Sequence, residues 1–169
     1  EQPADLLITD ARIVNVFNGE VEEANIAVAG EYIAGTGDYT QGKETVSANG
    51  KYIIPGYIDA HVHIESSMLD IIEYSFMVVP RGTLGVVTDL HELSNVIGAE
   101  AFEYVIKMSQ GLPLDFYFMA PSCVPATNLE TSGAVIDAYA LKELAKKPEV
   151  MGLGEMMNYP GVINKDERV

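Results

Sequence analysis

Two histidines one residue apart, His61 and His63, stand where an apolar run, Ile53-Ile54-Pro55-Gly56-Tyr57-Ile58, meets acidic and hydroxyl residues. The run reads as a buried strand. Side chains alternate across a strand, so His61 and His63 share a face with Asp59 and Glu65, while Val62 and Ile64 face the other way. Two imidazoles side by side suit one divalent metal ion. The competing reading is a strand end with two solvated histidines. Against it, the chain has only three histidines, and two of them are here.

Three further polar clusters follow apolar runs: Asp89, His91 and Glu92 after Leu84 to Leu90; Ser122 and Cys123 after Leu114 to Ala120; Glu155 and Asn158 after Val150 to Gly154. Glu155 is a candidate bridging metal ligand and catalytic group, with a salt bridge or a helix-cap contact as the alternative. Asp89 and His91 alternate on one strand face and could ligate metal or serve as a hydrogen-bonded structural pair. Ser122 and Asn158 are candidate substrate contacts. Cys123 has no base paired with it in any motif and reads as a buried small side chain.

The elements that must position these groups have two rhythms. From Asp5 to Val46, short apolar runs (Leu6 to Ile8, Arg12 to Phe17, Asn25 to Val28, Tyr32 to Ala34) are punctuated by Asn18-Gly19, Gly30-Glu31 and Gly35-Thr36-Gly37, the pattern of a β-meander. Residues 1–52 are therefore expected to form a small β-sandwich-like accessory domain. From residue 53 onward, apolar strands alternate with amphipathic helices, the signature of a parallel sheet with crossover helices. Helices are expected from about Met68 to Val79, capped by Ser66 or Ser67, from Asn95 to Ser109, and from Ala134 to Lys147. The fold class is α/β: residues 53–169 make the first four βα units, half of an eight-stranded barrel of the TIM type. Barrel active sites lie at the carboxyl ends of the strands, where all four clusters fall.

Composition narrows the function. A formal charge of −15 with ten Lys and Arg residues argues against nucleic-acid binding. No run is apolar enough to span a membrane, and one cysteine excludes an internal disulfide, so the expectation is a soluble cytoplasmic protein. His63-Ile64-Glu65 satisfies the His-x-Glu of zinc cytidine deaminases, but their Pro-Cys-x-x-Cys segment cannot be built with one cysteine. Phosphate-binding and dinucleotide-binding glycine loops are absent. The chain starts without Met and ends on charged residues, so it is expected to be part of a longer protein.

Pro55-Gly56-Tyr57-Ile58-Asp59-Ala60-His61-Val62-His63 resembles the first barrel strand of the amidohydrolase superfamily. His63-Ile64-Glu65-Ser66-Ser67-Met68, His91-Glu92, Phe118-Met119-Ala120-Pro121-Ser122-Cys123-Val124-Pro125 and Gly152-Leu153-Gly154-Glu155-Met156-Met157-Asn158-Tyr159-Pro160-Gly161 are similar to the bacterial and archaeal adenine deaminases. Where that family pattern has Asp-Pro-His-Glu, this chain has Asp89-Leu90-His91-Glu92. The resemblance implies a binuclear divalent metal centre, manganese or iron with zinc as the alternative, held by His61, His63 and a bridging Glu155, with further ligands beyond Val169. It implies hydrolysis of adenine to hypoxanthine and ammonia, with Glu65 or Glu92 as the acid. Two alternatives stand beside it: an amidohydrolase acting on a cyclic amide, and a metal-binding half-barrel without turnover. Unpaired strand edges imply association with the rest of the barrel or with a second copy.

Overall fold

The structure is a computed structural model that describes residues 2–167 and Val169. It divides into two compact units between Pro55 and Gly56.

The first unit is one sheet of five strands: β1 (Ala4–Asn15), β2 (Glu20–Ala29), β3 (Tyr32–Gly37), β4 (Gly42–Ser47) and β5 (Tyr52–Ile53). The order is β3-β2-β1-β4, with β5 also pairing with β1. Leu6 to Ile8 and Arg12 to Phe17, expected as separate runs, fall on one strand that ends at Asn15 and has a bulge between Ile8 and Ala11. Asp10 takes the left-handed conformation there (φ 54°), and its Oδ2 accepts the Ser47 hydroxyl at 2.7 Å. An aspartate tolerates that conformation, so the chain kinks without ending. The Asn18-Gly19 turn forms as expected, with Gly19 at φ 78° and its N–H donating to the Asn15 carbonyl at 2.8 Å.

The second unit carries a four-stranded sheet of β6 (Tyr57–Val62), β7 (Thr83–Asp89), β8 (Asp115–Ala120) and β9 (Val150–Leu153), parallel throughout and in sequence order. The crossovers carry α1 (Ile71–Val78), α2 (His91–Ile97), α3 (Glu100–Ser109) and α4 (Ala138–Leu144), and α5 (Tyr159–Ile163) follows β9. Parallel neighbours joined in order by helical crossovers make the first half of a (βα)8 barrel. Phe102 and Val105 of α3, Phe118 of β8, Leu90, Val124, Ile136 and Leu144 form the main core, with the Phe102 and Phe118 rings edge to face at 6.5 Å.

Four expectations are corrected. The run Ile53 to Ile58 is not one buried strand. Ile53 pairs with Ile13 in the first unit, and β6 is an edge strand with Ile58 64 % exposed. Residues Ile64–Ser67 form a 3-10 turn that Met68 ends at φ 59°, and α1 starts later because Asp70, not a serine, caps it, accepting the Ile72 and Glu73 N–H groups at 2.8 and 3.1 Å. The helix expected over 95–109 is two helices broken at Gly98 (φ 66°). Residues before Ala138 stay extended because the Ile136 N–H bonds to the Val124 carbonyl at 2.9 Å, and Asp137 caps α4 through the Ala140 N–H.

These contacts predict a contrast in urea unfolding. Phe102 is fully buried, so Phe102→Ala is expected to lose about 3–5 kcal/mol. Asp70→Ala removes only an exposed cap, and its expected loss is several-fold smaller.

Candidate metal centre

The alternation of β6 carries His61 to the same side as His63, the first residue beyond the strand. Their rings meet edge to face, centroids 5.0 Å apart, with the two Nε2 atoms 3.2 Å from each other. Glu155, two residues past β9, closes the group: its Oε1 lies 3.2 Å from His63 Nε2 and its Oε2 4.0 Å from His61 Nε2. One ligand atom from each of the three falls within 4.8 Å of the others, and no second group of this kind occurs among the described residues. The spacing fits a metal ion. Two imidazole nitrogens bound to one ion at about 2.0–2.1 Å stand roughly 3 Å apart. The donor set of two imidazoles and a carboxylate suits a divalent transition metal. Without a cation, two Nε2 atoms at 3.2 Å can share at most one proton, and any further lone pairs would repel.

Carboxylates back the histidines. Glu92 Oε2 lies 3.2 Å from His63 Nδ1, without the alignment of a hydrogen bond, and its Oε1 accepts the Ser66 hydroxyl. Partial burial pushes the Glu92 carboxyl up, but the Ser66 hydroxyl, its own backbone N–H and His63 together hold it below the usual range. Glu65 behaves oppositely: burial raises it, more than the Leu93 N–H at 3.3 Å from its Oε1 lowers it. Glu65 Oε2 is buried and has no hydrogen-bond partner. Ser66 reads from the sequence as a helix cap; its partner Glu92 lies 26 positions away, and no local pattern signals the contact.

The remaining candidates lie nearby but outside the ligand group. Asp89 is completely buried; its Oδ2 accepts the Glu155 N–H at 3.0 Å, and its Oδ1 faces His91 Nδ1 at 3.6 Å. The His91 ring is 6.3 Å from that of His63, yet its Nε2 bonds to the Cys123 carbonyl at 2.7 Å, so both its nitrogens are directed elsewhere. Burial presses the His91 imidazole towards the neutral form, but Asp89 and the Cys123 carbonyl outweigh it and raise its pKa. Asp89 and His91, weighed above as metal ligands or a structural pair, lie buried side by side, with Asp89 Oδ1 and His91 Nδ1 outside hydrogen-bond geometry. Ser122 donates to the Glu155 carbonyl at 2.6 Å, and Asn158 caps α5 by accepting the Gly161 N–H at 3.2 Å. Both also line an open cavity of about 590 Å³ with Thr127, Glu130 and Tyr139. Cys123 is buried, as expected, and its Sγ accepts the Met157 N–H at 3.2 Å.

A sequence model of the Amidohydrolase family matches residues 52–169. The chain is similar to adenine deaminases: 54% identical over 167 residues to that of Kosmotoga olearia, 53% over 163 residues to that of Dehalococcoides mccartyi strain CBDB1, and 49% over 169 residues to adenine deaminase 2 of Carboxydothermus hydrogenoformans. It covers 98%, 96% and 100% of itself in these matches but spans only 29%, 28% and 30% of the relatives' length. Among solved structures it resembles a beta-aspartyl dipeptidase from Fervidobacterium islandicum AW-1 (TM-score 0.56, 17% identity, 92% of this chain and 42% of that one) and a D-aminoacylase (TM-score 0.55, 18% identity, 70% and 30%), a likeness of fold. If His61, His63 and Glu155 act as one ligand set, His63→Ala leaves fewer than the needed donors, and metal analysis of the purified protein should show bound metal falling by about tenfold or more. The matched span contains both βα strands that carry these three residues, and the chain belongs to the amidohydrolase family.

Proposed function

We propose that the protein containing this chain is an adenine deaminase that hydrolyses adenine to hypoxanthine and ammonia. The observation that carries the reading is the meeting of His61, His63 and Glu155 in a chain about half identical, over nearly its whole length, to adenine deaminases. His61 and His63 would hold a divalent metal through Nε2, and Glu155 through its carboxylate. Manganese or iron is the proposed metal, with zinc as the alternative, and a binuclear centre would take its remaining donors from residues beyond this chain. When bound, such a metal lowers the pKa of water towards neutrality and polarises the reacting carbon's substituents.

The chain's own groups divide the rest of the work. Glu92, its carboxylate held by the Ser66 hydroxyl, stands 3.2 Å from His63 Nδ1, where its charge favours the Nδ1–H tautomer that leaves Nε2 free for a metal. Glu65, whose buried Oε2 has no hydrogen-bond partner among the described residues, is the proposed acid, giving a proton to a ring nitrogen of the substrate while the amino group departs as ammonia. The neutral, planar substrate suits a site ringed by carboxylates better than an anion would. Within the described residues the outer edges of β6 and β9 have no strand partner, so later strands of the longer protein, or a second copy, are proposed to cover them. A cytoplasmic setting belongs to the same reading, supported by the one unpaired thiol, Cys123.

The test is adenine-dependent ammonia release by the full-length protein supplied with manganese. Turnover is expected; absence of turnover on adenine, with hydrolytic ring opening of a cyclic amide instead, would transfer the chain to the other amidohydrolase reading. Glu155→Ala should remove several kcal/mol of charge stabilisation, about 10³-fold in kcat/KM, together with bound metal. Glu65→Gln should lower kcat by about 10²–10⁴-fold while metal content holds, and an unchanged kcat would remove Glu65 from the proton path.

A further inference from the structure

Glu155 sits in an unfavourable place for a side chain that must be held to a few tenths of an ångström. β9 ends at Leu153, and the last ladder contact beyond it is the Gly154 N–H to the Ala120 carbonyl at 2.7 Å. Glu155 therefore lies past the sheet, on irregular backbone. Two side chains replace the missing ladder. Asp89 Oδ2, from the end of β7 two strands away, accepts the Glu155 N–H at 3.0 Å, and the Ser122 hydroxyl donates to the Glu155 carbonyl at 2.6 Å.

We infer that Asp89 and Ser122 are positioning residues, gripping the Glu155 peptide groups from both sides and so setting where its carboxylate stands against His61 and His63. Further contacts tie the neighbouring segments: Asp89 Oδ1 lies 3.6 Å from His91 Nδ1, a charge contact outside hydrogen-bond geometry, while His91 Nε2 donates to the Cys123 carbonyl at 2.7 Å and Cys123 Sγ receives the Met157 N–H at 3.2 Å. The end of β7 and the loop after β8 both bond to the segment after β9, and Glu155 takes a contact from each. Gly154 fits this arrangement for a steric reason: a Cβ there would lie 1.8 Å from Asp89 Oδ2, so a side chain at 154 and the Asp89 contact exclude each other. A buried carboxylate that only satisfied itself would not require a bare backbone beside it, nor spend an oxygen on the one residue of that segment that reaches the histidines.

The inference rests on the reading of Glu155 as a metal ligand, and a double-mutant cycle separates the two. Manganese affinity of the full-length protein is measured by chelator competition, with urea unfolding in parallel. Ser122→Ala deletes one oxygen and should weaken manganese binding about 10–100-fold, the size of effect seen when a supporting group around a metal ligand is lost. Ser122→Thr, which keeps the hydroxyl, should restore most of it, and Gly154→Ala, acting through Asp89, should weaken binding as Ser122→Ala does. In a Glu155→Ala background Ser122→Ala should change affinity less than twofold, because the residue it positions is gone. Ser122→Ala binding manganese as the parent does, or losing as much affinity with Glu155 absent as with it present, overturns the positioning role. Should Glu155→Ala alone retain the parent's affinity, the ligand reading fails, and the inference with it.

Discussion

A parallel strand cannot join its neighbour through a tight turn; it must cross back over the sheet and re-enter from the same end. Whatever polar residues follow each strand are therefore delivered to one rim. In this chain β6, β7, β8 and β9 lie side by side in sequence order, so His63, Asp89, Ser122 and Glu155, spread over more than ninety positions, become neighbours. Burial of Phe102, Phe118 and Val86 fixes the strands, and that packing determines how far apart the rim groups stand. The site is a consequence of topology before it is a matter of side chains.

Much of this was legible in the sequence because the signals were periodic. The change from two-residue to helical rhythm near Gly50 marks where short strands give way to βα units, and the coincidence of polar clusters with strand ends singles out His61, His63 and Glu155, the three residues that the structure brings within ligand distance. What escaped was decided by single residues or by distant partners. Asp70 rather than Ser66 or Ser67 caps α1 because Met68 adopts a left-handed conformation between them, and Gly98 divides a continuous apolar periodicity into two helices. Exposure of β6 could not be read from its apolar residues, because an edge strand and a central one can carry the same composition. The partners of Asp89 and His91 escaped for a different reason: alternation places both on one face, but the Cys123 carbonyl and the Glu155 N–H that they bond come from segments 32 and 66 positions away.

Charge completes the argument. Glu155, Glu92 and Glu65 surround His61 and His63, and the ion-pair partners of Glu155 and Glu92 among the described residues are histidines alone. Lysines and arginines pair elsewhere, Lys146 with Glu143 and Lys147 with Glu103 on the helical side. Grouped carboxylates without a lysine or arginine repel one another, and protonating both histidines would place two positive rings with their Nε2 atoms 3.2 Å apart. Neither a neutral nor a doubly protonated histidine pair relieves both problems. A divalent cation does: it accepts the two nitrogen lone pairs, balances the surrounding carboxylates and draws on the long-range field of a chain with a net charge of −15. The crowding of these lone pairs and carboxylates is what the proposed ligand set of His61, His63 and Glu155 would relieve on taking up a divalent cation.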